Sequence, residues 1–197
     1  MIFDRLCLVF VLIFLNSCWD ANDKAQSHQN NISQIHEDSL VLIPEKGLFF
    51  YEDRPFSGTS VHFYDDGTLA AQNDYQNGKR HGLCKKWFAN GVTSYESAYY
   101  QGKKNGFTRT WWINGKLRSE SFFKLGFTNG IQREWYKNGA KFKLRNLVNG
   151  KEEGLQQSWR ENGKIYNNYI AKNGKIFGLK RAALCYELNE EQIKIKD

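Results

Sequence analysis

Trp87-Phe88-Ala89-Asn90-Gly91, followed by Tyr99-Tyr100-Gln101-Gly102-Lys103-Lys104-Asn105-Gly106, decides the fold of this chain. Asn-Gly between apolar runs signals a hairpin, because the turn holds residues at positive φ, where glycine sits without steric cost. A second glycine turn at Gln101-Gly102 sends the chain back, so the stretch is strand, turn, strand, turn. Outward from here the glycines recur every 24 residues. One series is Gly58, Gly82, Gly106, Gly130, Gly154 and Gly178; a second is Gly67, Gly91, Gly115, Gly139 and Gly163; a third is Gly78, Gly102, Gly126, Gly150 and Gly174. Sixteen of the seventeen glycines fall in these three columns, and Gly47 stands outside. A fixed period of this size marks a repeat architecture.

Other columns keep the same period. Five residues after each first-series glycine stand Phe63, Trp87, Trp111, Trp135 and Trp159, and the next column holds Tyr64, Phe88, Trp112, Tyr136 and Arg160. Asp66, Asn90, Asn114, Asn138 and Asn162 precede the turn glycines. Tyr51 to Gly58 resembles the second half of a degenerate unit, so the array is expected to begin near Gly47. No connection in the array is long enough for the crossover of a dozen or more residues that parallel strands need. The expected fold is therefore all-β: a single-layer antiparallel meander of stacked 24-residue β-hairpin repeats over residues 47–180. About eleven strands at ~4.8 Å spacing give it a length of roughly 50 Å. Two turns fit Asn-Gly, a two-residue turn and a bulged three-residue one, and the choice sets which aromatic columns share a face. Gly67, Gly91, Gly115, Gly139 and Gly163 are the structural turn positions.

The pattern Trp-Phe-Ala-Asn-Gly … Tyr-Tyr-Gln-Gly-Lys-Lys-Asn-Gly resembles the MORN-repeat variant family, whose bacterial members are often named YwqK-type antitoxins. The resemblance covers about residues 47–180. It implies a sheet of stacked hairpins used as a binding scaffold, with no shared catalytic residues. It also implies a protein partner, a toxin, neutralised by binding.

The N-terminus carries an address. Leu6 to Leu15 is an unbroken apolar run of ten residues, too short for the roughly 20 that a membrane-spanning helix needs, and it fits the core of a secretory signal peptide. Leu15-Asn16-Ser17-Cys18 resembles the lipobox of bacterial lipoproteins, which implies acylation of Cys18, a membrane anchor and a place in the cell envelope. Residues 1–17 are then signal peptide and 18–46 a lipidated cysteine with a flexible tether, polar and poor in apolar surface. Residues 181–197 form a tail whose sequence fits a closing strand or a short helix.

The chain is basic, with 28 Lys+Arg against 21 Asp+Glu. Its mean hydropathy of −0.65 excludes a polytopic membrane protein. Residues 47–180 hold 22 Lys+Arg and 11 Asp+Glu. Lys79, Lys103, Lys151 and Lys175 share one column after a turn glycine, a basic stripe that shields exposed turns or attracts an acidic partner or anionic lipid. Nucleic acid suits the charge but not the exported address. Trp87, Trp111, Trp135 and Trp159 are either the cross-strand pairs that stabilise a sheet without a helical layer or a recognition stripe. The four histidines, His28, His36, His62 and His81, are scattered without metal-ligand spacing, so no metal or cofactor is expected. No nucleophile-and-base constellation stands out, so no enzyme is expected either. Cys84 and Cys185 lie too many strands apart to pair unless the tail folds back. The leading reading is a membrane-anchored binding protein of antitoxin or immunity type. Its rival is an envelope structural or anionic-lipid-binding module.

Overall fold

The computed structural model describes residues 34–180 together with the backbone of 186–189 and 192–195. The signal-peptide and Cys18 expectations lie outside the described residues. Strands run as β1 (Gln34–His36), β2 (Val41–Ile43), β3 (Leu48–Tyr51), β4 (Arg54–Pro55), β5 (Gly58–Phe63), β6 (Leu69–Gln76), β7 (Lys79–Trp87), β8 (Thr93–Tyr100) and β9 (Lys103–Trp111). They continue as β10 (Leu117–Lys124), β11 (Phe127–Thr128), β12 (Gly130–Trp135), β13 (Lys141–Val148), β14 (Lys151–Trp159), β15 (Ile165–Lys172) and β16 (Lys175–Leu179). The tail adds β17 (Tyr186–Asn189) and β18 (Gln192–Ile195), paired as a hairpin. A thirteen-stranded sheet in the order β1-β5-β6-β7-β8-β9-β10-β12-β13-β14-β15-β16, with β11 beside β10, is the body of the fold. From β5 to β16 it is the antiparallel meander that the glycine columns call for.

The two turn types alternate. Phe88 N–H donates to the Val92 carbonyl and Gly91 N–H to the Phe88 carbonyl, both at 2.8 Å. That is the bulged three-residue loop, with Gly91 at φ +77° while Asn90 keeps a negative φ. Gly67, Gly115, Gly139 and Gly163 sit in the same loop at φ +80° to +95°. The other turn is the two-residue one, with Asn77 at φ +50° and Gly78 at +75°, between the paired residues Gln76 and Lys79. Asparagine in the bulged loop therefore acts through its side chain. Asn90 Oδ1 accepts from the Val92 N–H at 3.2 Å, and Asn90 Nδ2 donates to the carbonyl of Ile113 in the next loop at 3.2 Å.

Two expectations need correction at the N-terminal end. Residues 34–46 belong to the folded body and not to a flexible tether: β1 pairs with β5 through Gln34–Thr59, Ile35–Ser60 and His36–Val61, and Ile35 is buried. This pairing is parallel, so the sheet is not wholly antiparallel; residues 37–57 supply the long crossover that a parallel pair needs. The half-unit expected at Tyr51 to Gly58 enters the meander only at Gly58, the first residue of β5, although the Phe56 carbonyl accepts from the Gly78 N–H at 2.7 Å as that of Arg80 accepts from Gly102 one unit on. Tyr51, Arg54 and Pro55 join β2-β3-β4, a separate three-stranded sheet, which places Phe49 against Tyr75 in the Ile35–Phe56–Tyr75 cluster. An isolated hairpin repeat leaves apolar surface at its outer side, and a terminal cap of this kind covers it.

Candidate interaction surface

Side chains alternate across each strand, so the register assigns the columns to two faces. On one face runs the row Ser60–Asn73–Cys84–Ser97–Thr108–Ser121, paired strand by strand. All six residues are buried, Ser60 and Ser97 completely. The sheet makes its own roof here: Tyr95 and Tyr99, two residues either side of Ser97 on β8, bring their hydroxyls to 3.3 Å of each other. Lys104 Nζ lies over the rings of Tyr95 and Phe123, and the Arg80 guanidinium over Phe49 and Tyr99. Burial and the Tyr95 hydroxyl push the Tyr99 phenol up, and burial pushes up the Cys84 thiol. A thiol held protonated and covered is inert packing. Cys84 is free; Cys185 lies outside the described residues.

The opposite face has no such roof. Leu83, Phe107, Phe122, Ile131, Leu155, Ile170 and Phe177 stand along it, each between 39% and 56% exposed. Phe107 and Phe122 face each other across β9 and β10 with ring centroids 5.3 Å apart. Beside this apolar row, two residues along each strand and so on the same face, runs a row of alternating charge. Lys85–Glu96 is 3.3 Å, Arg109–Glu96 3.9 Å, Arg109–Glu120 2.8 Å and Arg133–Glu120 3.6 Å. Trp87, Trp111, Trp135 and Trp159 fall on this same face by strand alternation, next after Lys85, Arg109, Arg133 and Gln157. All four are half-buried.

The bonds between repeats come from the neighbouring aromatic column. Tyr64 Oη donates to the Trp87 carbonyl at 2.8 Å, Trp112 Nε1 to the Trp135 carbonyl at 3.1 Å and Tyr136 Oη to the Trp159 carbonyl at 2.9 Å. The Trp column offers backbone carbonyls to this ladder, and by strand alternation the row of alternating charge separates it from the apolar row. Lys79, Lys103, Lys151 and Lys175 are all exposed at the first positions of β7, β9, β14 and β16. A Cβ built on Gly102 or Gly126 would lie 3.8–3.9 Å from the side-chain stem of Lys79 or Lys103, so these lysines also pack beneath the turn of the next unit. The lysines line the edge at the two-residue turns, whereas the tryptophans lie near the bulged loops.

The structure also joins residues that sequence spacing keeps apart. Ligand atoms of His36, Asp38 and His62 lie within 4.8 Å of one another, because β1 runs beside β5. Parallel pairing across 20-odd residues leaves no periodic trace, so only a strand assignment at Gln34–His36 could have revealed it.

No protein-family model matches the chain, and no curated protein does. Among solved structures, a mutant of S. aureus TarM in complex with fondaparinux, alpha-GlcNAc-glycerol and UDP matches with 20% identity and a TM-score of 0.32, over 58% of this chain. The match spans 21% of that chain.

Proposed function

We propose that the protein is a binding scaffold that holds a protein partner on the unroofed face of its sheet, anchored to a membrane of the cell envelope through a lipid on Cys18. The observation that carries this reading is the row of exposed apolar side chains from Leu83 through Phe107 and Phe122 to Ile131, resumed beyond the polar Asn146 by Leu155, Ile170 and Phe177. Exposed apolar side chains scattered singly are ordinary, whereas a contiguous row flanked by polar residues marks an interaction surface. Arg109, with its guanidinium over Phe107 and its Nε on Glu120, and Trp111 beyond it supply the residue types that dominate binding energy. The excess of base over acid in residues 47–180 favours an acidic partner. The likeness to the MORN-repeat variant family supports an antitoxin or immunity role, in which a toxin acting in the envelope is neutralised by occupation.

The test is capture from native envelope extracts by wild-type protein and by Phe122→Glu, which places a charge in the middle of the row. A partner retained by wild type and lost by a folded Phe122→Glu supports the reading; equal retention overturns the assignment of the face. The exposed lysine edge favours a second reading, an anionic-lipid-binding envelope module. That reading expects binding to anionic vesicles that falls steeply with salt and is lost on replacing Lys79 and Lys103 by Gln.

A further inference from the structure

We propose that His36, Asp38 and His62 form a site for one divalent metal ion of the zinc class, which clamps β1 to the edge of the repeat sheet. The three side chains come from three places: the end of β1, the 3-10 turn Glu37–Ser39 and the interior of β5. The β1–β5 ladder is three residues long and ends at the His36–Val61 pair, so His62 is the next residue along. The imidazoles of His36 and His62 stand 5.7 Å apart, centroid to centroid. Their ligand atoms and the Asp38 carboxylate already lie within 4.8 Å of one another.

The local polarity asks for a cation. The backbone N–H of Asp38 points at His36 Nδ1 from 3.4 Å, so that nitrogen presents its lone pair. The same Nδ1 lies 3.3 Å from Asp38 Oδ2. A lone pair facing a carboxylate oxygen repels it unless a positive charge sits between them. Bonds of about 2.0–2.2 Å at tetrahedral angles put neighbouring ligand atoms roughly 3.3–3.5 Å apart, which the Nδ1–Oδ2 pair already meets. His62 closes the remaining gap by side-chain rotation. When the metal takes the Nδ1 lone pair, the long contact from the exposed Asp38 amide passes to water. Two imidazoles and one carboxylate suit zinc and its neighbours, whereas magnesium and calcium prefer oxygen throughout. His36 and Asp38 are exposed, with side chains 44% and 77% accessible, so water fills the fourth position. The site bridges a three-residue ladder at its His36 end, beyond the buried Ile35 anchor, so the metal is expected to steady the entry of the chain into the sheet.

The experiment uses the full chain in detergent micelles, stripped with a chelator and titrated with Zn2+, with Co2+ and with Mg2+. One Zn2+ or Co2+ should bind per chain, Co2+ should develop tetrahedral visible absorption, Zn2+ should raise the thermal midpoint, and Mg2+ should do neither. His36→Ala and His62→Ala should each weaken Zn2+ binding by at least the roughly 10–100-fold that loss of an outer-shell partner costs. His62→Gln repeats the test with little change of shape, and an unchanged metal-free thermal midpoint shows that each variant is folded. His28→Ala and His81→Ala should bind as wild type does. Undiminished binding in folded His62→Gln overturns the proposal, as does loss of binding in His28→Ala. So does the absence of saturable Zn2+ binding.

Discussion

Gly78 and Gly91 have nearly the same backbone, φ +75° and +77°, in different surroundings. A Cβ at Gly91 would meet nothing within 4 Å, whereas at Gly78 it would lie 2.9 Å from the Phe49 carbonyl oxygen and 3.0 Å from Leu48 Cβ. Gly91→Ala should therefore cost only the left-handed backbone, about 1–2 kcal/mol. Gly78→Ala should cost clearly more, because the cap strand β3 has to move. Chemical denaturation of the two variants checks the order, and equal losses would show that the cap yields freely. Leu125 is the converse case. It occupies the first position of a two-residue turn at φ +49°, half exposed, where Asn77, Asn149 and Asn173 stand in other units. Leu125→Asn should raise stability by roughly 0.5–1 kcal/mol, by fitting the side chain to the backbone and removing exposed apolar surface. An unchanged unfolding midpoint would mean that Leu125 gains from contacts what it loses in φ.

Among the elements, β7 to β12 are tied on the open face by the row of alternating charge. Glu120 bridges Arg109 and Arg133 and thereby spans β10 and β12, whose ladder holds only the pairs Ser119–Glu134 and Glu120–Arg133. Glu120 is 20% exposed and Arg133 44%, so solvent screens much of the attraction. Glu120→Gln should lower stability by about 0.5–1 kcal/mol in dilute buffer and by little in 1 M salt, where the screening length is about 3 Å. Denaturant midpoints at the two salt concentrations measure the difference, and a loss that salt leaves unchanged would assign Glu120 a packing role. The meander itself was legible, because glycine spacing encodes turn positions directly and short loops permit one pairing pattern. The cap was not. Gln34–His36, Val41–Ile43 and Arg54–Pro55 are two- and three-residue strands whose order depends on contacts with Tyr75 and Gly78, and segments that short have no periodicity of their own. The two faces were legible as columns but not as faces, since the bulge at each Asn-Gly loop shifts the register and only coordinates show by how much.

For the molecule as a whole, tyrosine burial sets an upper pH limit. Burial, then the hydrogen bond and charge of Glu152, push Tyr169 from 10.0 up to about 12, and burial raises Tyr75, Tyr99 and Tyr136 as well. Between the two values the folded chain holds more protons than the unfolded one, so stability falls as pH rises. The contribution is fully present below about pH 10 and is lost as the pH climbs towards 12. Tyr169→Phe should flatten part of that decline in the thermal midpoint, and a slope identical to wild type would place the alkaline limit elsewhere. The hydrogen bonds from Tyr64 to Trp87, Trp112 to Trp135 and Tyr136 to Trp159 each reach 23 residues ahead, whatever their place in the chain. Each unit thus carries the address of its successor. A 24-residue segment duplicated in frame inside the array would find both neighbours waiting, and the cap at Ile35–Phe56–Tyr75 would not need to change. Gene duplication could then act as a length dial, extending the contact face by two strands, about 10 Å, per copy.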